Sequence, residues 1–348
     1  MGGAACKEAK AAPINRAPME NSYDISKEVL GKGSFASIFE GRSRADGGPV
    51  AIKSFLTTHQ RFDEKAIRNE MAVASRLGQH PTLVRLLGAF QDANAIHMVM
   101  EHVAGGTLQG RIDTQGRLSE PQAANVVRQL LEGVDYMHHL GVTHRDIKPE
   151  NVLMCSPDPM SPLHDRIKIC DFGFADLDAS VLVNRINRSG KNARKNASKN
   201  TKAASHHLIM QSAGLDVDQG ARGEGQHAME AVCGSLLYMA PEIALHVAKS
   251  LATKTASTVD WLEDAAVGKE LPEYTNLCDV WGVGVILYVL LSGKNPFTDL
   301  SKLVRISYDF DGDSWKSISS EAIRLVTKML QPEGNRSRPN ECLESQWL

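Results

Sequence analysis

The chain has 348 residues, of which 42% are hydrophobic, and 41 acidic residues balance 39 basic ones. This length suffices for about two domains with cores of their own, and a formal net charge of −2 excludes a general attraction to nucleic acid or membrane. The longest apolar run, residues 283–291, is far shorter than the roughly 20 residues that span a bilayer. The six cysteines show neither metal-ligand spacing nor a disulfide framework, which indicates a reducing, cytoplasmic compartment.

The first part of the chain alternates in the manner of β-strands. A polar, Ala-rich leader, which we predict to be disordered, covers residues 1–22. Strand-like runs follow, interrupted by one helical pattern near residues 63–77. The runs are SKEVLGKGSFASIFEGRSR, PVAIKSFL, LVRLLGAFQ and AIHMVMEHV. This order predicts a small β-rich unit over residues 23–103 that carries one main helix.

Residues 104–348 show apolar residues at helical spacing instead. The spacing is clearest at residues 121–140, 280–291 and 320–330. We therefore predict a larger, mostly α unit, joined to the first by the flexible AGG stretch that follows Val103.

One segment of the larger unit, residues 184–206, contains no acidic residue and is rich in Asn and Ser. Its basic residues are Arg185, Arg188, Lys191, Arg194, Lys195, Lys199 and Lys202. This composition favours a disordered, solvated loop.

The stretch LGKGSFASI, residues 30–38, places two glycines between strand-like runs. Because glycine has no side chain, the backbone here can approach phosphate oxygens closely. The pattern departs from G-x-G-x-x-G, since Ala36 stands where the third glycine would be. By itself it fits a plain hairpin equally well, and it gains weight from the VAIK stretch that ends in Lys53.

Lys53 ends an apolar strand, where a charge needs a partner. In the helix predicted near residues 63–77, Glu70 shares a face with Ile67 and Ala74, so its carboxylate points inward. Losing one member of a buried ion pair costs about 3–5 kcal/mol. We therefore predict that Lys53 and Glu70 pair and position each other, the alternative being a solvent-exposed glutamate.

The stretch VTHRDIKPENVLM, residues 142–154, is followed by DFG at 171–173. Asn151 and Asp171 would supply the oxygen ligands that Mg²⁺ prefers, the ion arriving with a nucleoside triphosphate. Asp146 would then accept a proton from an attacking hydroxyl or orient it. Lys148 could offset charge on the transferred phosphoryl oxygens. The cluster predicts phosphoryl transfer.

Taken together, GKGSFASI, VAIK, HRDIKPEN, DFG and YMAPE resemble the eukaryotic protein kinases in order and spacing, over roughly residues 23–348. The resemblance implies a bilobal α+β protein kinase fold, with a small β-rich lobe, a larger mostly α lobe and the site in the cleft between them. It implies transfer of the γ-phosphoryl group of Mg-ATP to Ser or Thr hydroxyls of protein substrates. The lysine in DIKPEN is similar to the serine/threonine type, and MVMEHVAGG is most similar to the calcium/calmodulin-dependent group.

The same resemblance implies roles for individual residues. Asp146 would be the catalytic base, Lys53 would contact the α- and β-phosphates while pairing with Glu70, and Asn151 and Asp171 would bind Mg²⁺. The loop around the phosphates would comprise Gly31, Lys32, Gly33, Ser34, Phe35 and Ala36. The adenine would be bound by backbone groups of Glu101 and Val103, by the gatekeeper Met100, and between Leu30, Ile38, Ala51 and Leu153.

Further positions follow from the resemblance. Arg336 would pair with Glu242 of the APE motif, and Arg145 would be available to a phosphate on the activation segment, placed there by an activating kinase. Thr107 replaces an acidic residue that basophilic relatives carry, so only a weak preference for Arg or Lys upstream of the phosphorylated residue is predicted, with Glu150 as its contact. Ser235 keeps a hydroxyl where a threonine is common.

Comparison with the family pattern predicts a disordered activation-segment insert at about 180–228 and a second insert at about 246–270. The basic segment 184–206 within the first is either a tolerated loop, a regulatory segment with phosphorylation at Ser189, Ser198, Thr201 or Ser205, or a docking site for an acidic partner or nucleic acid. No dedicated nucleic-acid module is expected.

The beginning of the chain, MGGAACK, resembles a myristoylation site with Gly2 as acceptor, and Cys6 could carry palmitate. Membrane association is expected only with such acylation. Two other classes remain as alternatives to the active enzyme. One is a catalytically silent pseudokinase scaffold. Such proteins usually lack the VAIK lysine, the HRD aspartate or the DFG aspartate, all of which are present here as Lys53, Asp146 and Asp171. The other is a small-molecule kinase.

Overall fold

The computed structural model describes residues 14–33, 36–60, 62–177, 236–245 and 275–348. Its contacts divide the chain into two units, one ending at Ala104 and including Cys170–Gly173, the other formed by Gly105–Ile169 and Phe174–Leu348. The division after Ala104 falls one residue beyond the predicted boundary. Ser34, Phe35, Ser235 and both predicted inserts, about 180–228 and about 246–270, lie outside the described residues.

The first unit contains a five-stranded antiparallel sheet in the order β1-β2-β3-β5-β4. Its strands are β1 (Tyr23–Lys32), β2 (Ser37–Ser43), β3 (Pro49–Leu56), β4 (Leu86–Gln91) and β5 (Ala95–Glu101). All four strand-like runs of the sequence lie in this sheet.

One face of the sheet is covered by a hydrophobic core. Val50 and Ile52 of β3 are buried there with Val99 of β5 and Phe90 of β4, and Met19 packs against them. Met19 belongs to a 3₁₀ turn, Met19–Asn21, so part of the predicted leader lies on the sheet. The prediction of disorder up to residue 22 was therefore wrong for residues 14–22, because Met19 supplies an apolar side chain that covers this face.

The main helix of this unit is α1 (Glu64–Leu77). Asp63 caps its first turn by accepting hydrogen bonds from the backbone N–H groups of Lys65 and Ala66, at 2.9 and 3.1 Å. Gly78 ends it with φ of 63°, a conformation that glycine adopts without strain. The buried face consists of Ile67, Glu70, Met71, Val73, Ala74 and Leu77. Glu70 therefore faces inward, as predicted.

The second unit is mostly helical. The α-helices whose bounds lie within the described residues are α2 (Leu108–Gln115), α3 (Glu120–His139), α4 (Cys278–Ser292), α5 (Leu300–Val304), α6 (Ser320–Met329) and α7 (Pro339–Leu343). All fifteen residues of α4 are buried, and α3 and α6 pack against it. None of the described helices is both long enough and apolar enough to cross a membrane. A β-rich first unit and a helical second unit confirm the predicted α+β class.

Four short strands support the stretch that carries Asp146. They are β6 (Val142–Thr143), β7 (Val152–Met154), β8 (Ile167–Ile169) and β9 (Asp176–Leu177). β6 pairs with β9 and β7 pairs with β8, so both ends of residues 144–151 are held by hydrogen-bonded strands. Helix α4 approaches this loop so closely that a Cβ on Gly282 would lie 2.6 Å from the Ile147 carbonyl oxygen.

Candidate active site

In the first unit, Lys53 is the centre of a charged triad. Its Nζ lies 2.7 Å from Oε1 of Glu70 and 2.9 Å from Oδ1 of Asp171, so the predicted Lys53–Glu70 contact is confirmed. Burial alone would lower the pKa of Lys53, but the two carboxylates outweigh it and raise this pKa above its ordinary value. Lys53 is therefore a permanent cation, oriented by carboxylates from α1 and from the DFG segment.

Asp171 reaches Lys53 from an unusual backbone conformation. Its φ is 63°, in the left-handed region that residues other than glycine occupy only when their surroundings hold them there. Gly173 lies beside both acids, since a Cβ at that position would lie 3.4 Å from Oδ1 of Asp171 and from Oε2 of Glu70, an ordinary contact distance. The DFG segment thus packs against the two carboxylates that hold Lys53.

Several of the predicted adenine contacts lie on the sheet face that carries Lys53. Ile38 of β2 is directly opposite Lys53, and Ala51 of β3 is directly opposite Met100 of β5. Since directly opposed residues point to the same side and alternate residues share a face, these four side chains form one half-buried surface. It is the face opposite the hydrophobic core.

The remaining predicted nucleotide contacts of the first unit lie at the ends of strands. Leu30 is 44% exposed, in the part of β1 where the register with β2 shifts. Gly31 and Lys32 complete β1, and a hydrogen bond from the Gly33 N–H to the Ala36 carbonyl, 2.9 Å long, spans the turn. At the other end of the sheet, Glu101 ends β5. Its backbone N–H donates to the Arg85 carbonyl, and its carboxylate accepts a hydrogen bond from the Arg85 N–H. Val103, two residues later, is half-buried.

In the second unit, Asp146 is the centre of a buried polar cluster. Nδ2 of Asn151 donates to both the Asp146 carbonyl and its Oδ2, each at 2.8 Å. Nζ of Lys148 lies 2.9 Å from the same Oδ2. Leu153, the predicted adenine contact of this unit, is on β7 and forms a β-bridge with Thr107, which caps α2. The unit thus brings together Asp146, Lys148 and Asn151 as the sequence predicted.

The backbone before Asp146 is held by Asp279 of α4. This fully buried carboxylate accepts the backbone N–H groups of His144 and Arg145, at 2.9 and 2.8 Å, and lies 2.9 Å from Nε2 of His138. Burial would raise the pKa of Asp279, but the hydrogen bond and charge of His138 outweigh it and lower the pKa. The sequence analysis missed Asp279 and His138. An aspartate inside the apolar run of α4 was the available signal, because such a residue needs partners.

Two of the arginines for which the sequence predicted a role, Arg336 and Arg145, have carboxylate partners in this unit. Nη1 and Nη2 of Arg336 donate to Oε1 and Oε2 of Glu242 at 2.7 and 3.0 Å, which confirms the predicted pair. Arg145 donates to Oδ2 of Asp176 on β9. The sequence analysis expected Arg145 to be available to a phosphate and did not single out Asp176. The described residues do not test that expectation, but they show that β6–β9 pairing brings a carboxylate of the chain itself to Arg145.

A small cavity next to Asp146 is lined on its other side by Tyr238, Met239, Ala240 and Ile243. Burial raises the pKa of the Tyr238 phenol, and the negative charges of Glu150 and Asp113 raise it further, with the first of these carboxylates contributing more. Glu150 itself is exposed. The cavity is therefore lined by apolar side chains together with the charged Arg145 and Asp146, and the Glu150 carboxylate is near enough to act on Tyr238.

Comparison with known proteins agrees with this geometry. The family model of the protein kinase domain matches residues 25–183 and 216–348, and the residues between these ranges include the basic segment 184–206. The serine/threonine-protein kinase H1 homolog of Danio rerio is 29% identical over 334 residues, which cover 94% of this chain and 61% of that protein. The chain thus spans about three fifths of that relative's length.

Two calcium/calmodulin-dependent protein kinases type 1 are also similar. The protein from Caenorhabditis elegans is 28% identical over 97% of this chain and 77% of its own length. The one from Macrobrachium nipponense is 30% identical over 90% of this chain and 70% of its own length. The chain therefore belongs to the protein kinase family, and within it to the serine/threonine kinases with similarity to the calcium/calmodulin-dependent group.

Proposed function

We propose that this serine/threonine kinase transfers the γ-phosphoryl group of Mg-ATP to Ser and Thr hydroxyls of protein substrates. The observation that carries the proposal is the cluster in which one oxygen of Asp146 is bound by both Asn151 and Lys148. Such an arrangement fixes the direction of a carboxylate, which is what orienting a hydroxyl nucleophile requires.

In this proposal the two oxygens of Asp146 have different tasks. Oδ2 is bound by Asn151 and Lys148, so Oδ1 is the oxygen that we assign to the substrate hydroxyl. Asp146 orients that hydroxyl and accepts its proton as the new bond from the hydroxyl oxygen to the γ-phosphorus forms, while the bond from that phosphorus to the β–γ bridging oxygen breaks and ADP leaves. Lys148 lies next to the same carboxylate and offsets negative charge on the transferred group.

Residues of the first unit bind the nucleotide in this proposal. Lys53, held by Glu70 and Asp171, contacts the α- and β-phosphates. The chemistry of the donors fits a magnesium ion, because Asp171 supplies a carboxylate and Asn151 an amide oxygen whose Nδ2 is already used by Asp146. Bound Mg²⁺ would offset the charge of the phosphates. The half-buried face with Ile38, Ala51 and Met100 suits the flat face of the adenine ring.

The first test is transfer of phosphate from Mg-ATP to a degenerate library of Ser/Thr peptides. We expect activity from the intact chain and from Asp313→Asn, a matched control at an exposed aspartate that pairs with Lys316. Asp146→Asn should be inactive. If the intact chain transferred nothing even after incubation with an activating kinase, the pseudokinase scaffold would replace this proposal. Transfer to free metabolites in preference to peptides would favour a small-molecule kinase.

Substrate preference is a finer proposal. Glu150 is exposed, and its charge acts on Tyr238, which lines the cavity beside Asp146. We propose a weak preference for Arg or Lys upstream of the phosphorylated residue, and profiling with oriented peptide libraries tests it. Glu150→Gln should reduce the preference, with the exposed Glu344→Gln as control. Selection of proline or acidic residues would contradict it.

Location and partners are also proposals. We place the enzyme in the cytoplasm, with membrane association only if Gly2 and Cys6 are acylated, because one acyl chain binds a bilayer only marginally. Mass spectrometry of the cellular protein and membrane fractionation of Gly2→Ala test this.

We further propose two kinds of protein partner, an activating kinase and an acidic protein that binds segment 184–206. Deleting 184–206 should change activity, partner binding or location if the segment is functional.

A further inference from the structure

We infer that Asp176 is a positioning residue, which holds Arg145 with a carboxylate supplied by the chain, so that phosphoryl transfer does not require a phosphate on the activation segment. The inference deepens the proposed function and rests on it for the catalytic role of Asp146. It concerns regulation of that site.

The position of Asp176 is fixed by strand pairing. β9 runs antiparallel to β6, and Asp176 lies directly opposite Thr143 while Leu177 lies opposite Val142. Thr143 precedes Arg145 by two residues, so the short sheet sets the distance between the Asp176 carboxylate and the Arg145 guanidinium. The carboxylate comes from the stretch immediately after the DFG motif.

The ion pair is largely shielded from water. The Arg145 side chain is 10% exposed and the Asp176 side chain 28%. Salt and solvent screen such a pair less than a surface pair, and removing one member leaves the other charge poorly solvated. Arg145 makes further interactions as well, so Asp176 is one of several groups that hold it.

Arg145 transmits this restraint to Asp146 through a strained backbone. Its φ is 69°, in the left-handed region, which a residue with a long side chain occupies only when its surroundings hold it. Asp279 holds the backbone, since its Oδ1 accepts the Arg145 N–H at 2.8 Å, and Asp176 holds the side chain. Asp146 is the next residue. Loss of either restraint should let the peptide before Asp146 relax and turn its carboxylate away.

A phosphate and a carboxylate offer the same thing to an arginine, namely oxygens for charge-assisted hydrogen bonds. In many switches a phosphate added to a loop orders it by pairing with arginine. Here the carboxylate of Asp176 is present without modification. The restraint on Arg145 is therefore built into the fold.

Kinetics of the full chain after phosphatase treatment test the inference, with removal of phosphate checked by mass spectrometry. The dephosphorylated wild type should keep its kcat within about twofold. Asp176→Asn should lower kcat about 10- to 100-fold, since a displacement near 1 Å of a catalytic group costs on the order of 100-fold. KM for ATP should change much less, because Lys53 and its partners are untouched. Asp176→Glu should restore most of the kcat, and Asp313→Asn should behave as wild type.

A second readout does not depend on activity. Hydrogen exchange at the amides of residues 144–146 should be equally slow in phosphorylated and dephosphorylated wild type and faster in Asp176→Asn. If Asp176→Asn does not fold, the double variant Arg145→Gln with Asp176→Asn leaves no unpaired buried charge and should show the same fast exchange.

Either of two results would overturn the inference. One is loss of kcat or of exchange protection in the wild type on dephosphorylation, and the other is a variant at Asp176 with wild-type kcat and wild-type exchange. The amides of residues 144–146 could instead exchange slowly in both phosphorylated and dephosphorylated wild type while neither form transfers phosphate to any peptide. That result would contradict the proposed function and not this inference.

Discussion

Arg336 binds Glu242 with two parallel hydrogen bonds, at 2.7 and 3.0 Å, while its guanidinium carbon lies 5.0 Å from the ring centroid of Trp281. Both charged side chains are almost completely buried. The planar guanidinium thus joins the APE segment, α4 and the C-terminal part of the second unit. Lysine could match neither the two parallel bonds nor the stacking on the indole.

The first prediction concerns this pair. Glu242→Gln should lower the free energy of unfolding by about 3–5 kcal/mol, because it leaves the Arg336 charge buried without its counter-ion. Arg336→Lys should also destabilise strongly. Urea unfolding measures both. The control is Arg324→Lys, whose partner Glu321 is exposed, and which should change stability by no more than about 1 kcal/mol. Equal effects at the two sites would contradict the prediction.

The second prediction separates Glu70 from Glu64, the other acidic residue of α1. Glu70→Gln should lower kcat/KM for ATP by about 10- to 100-fold, since Lys53 loses the partner that fixes its position. Glu64→Gln on the same helix is the control, because its pair with Arg68 is roughly half exposed. Steady-state kinetics with ATP as the varied substrate give the comparison, and indistinguishable variants would refute a positioning role for Glu70.

The third prediction uses pH. Glu120, at the start of α3, accepts hydrogen bonds from Ser319 N–H and Oγ and from Trp347 Nε1. Burial acts to raise the pKa of Glu120, but these bonds outweigh it and lower the pKa below the ordinary 4.5. A lowered pKa in the folded state means that this stabilisation is complete above pH 4.5 and is lost as the pH falls through the folded-state pKa.

The wild type should therefore be more stable than Glu120→Gln near neutral pH, by about 1–2 kcal/mol, because hydrogen bonds to a charged group are lost. That advantage should shrink at more acidic pH. Denaturant unfolding of both proteins across the acid range measures it, with Glu344→Gln as the exposed control. An advantage that stays constant with pH would show that the charge of Glu120 is irrelevant.

The fourth prediction concerns the contact of α4 with the catalytic loop. Gly282→Ala should destabilise the protein by about 1–3 kcal/mol and lower kcat, because the new Cβ would lie 2.6 Å from the Ile147 carbonyl oxygen, next to Asp146. Gly110→Ala in α2 is the matched control. There the new Cβ would meet Thr107 Oγ1 at an ordinary 3.5 Å, so the substitution should be neutral or slightly stabilising. Unfolding and peptide kinetics distinguish the two.

The sequence predicts best what depends on local spacing. The inward carboxylate of Glu70 followed from its place among the apolar residues of one helix, and the lysine that needed a partner was visible at the end of a strand. The cluster of Asp146, Lys148 and Asn151 lies within six residues of chain, so its members could hardly be far apart. Their contacts are as predicted, whereas their chemical roles remain predictions.

What the sequence could not give are contacts between distant segments. Asp279 holds the amides of His144 and Arg145 across more than 130 residues of chain, and no spacing rule relates such positions. Asp176 was missed for a similar reason, since it reaches Arg145 through a two-residue strand that carries little pattern of its own. The apolar cover supplied by Met19 was missed because it lies in an otherwise polar stretch.

The segment before β1 also protects an exposed sheet edge. β4 is the last strand of the sheet, and Asn15 lies beside it. The Asn15 N–H donates to the Ala89 carbonyl at 2.9 Å, and the Asn15 carbonyl accepts a hydrogen bond from the Gln91 N–H at 3.0 Å. Open edge strands are templates for pairing with other molecules. A protein shortened to begin at Tyr23 would lose these bonds together with Met19, and so present both an unpaired edge and an uncovered apolar face. Its tendency to self-associate should rise even where the catalytic residues are untouched.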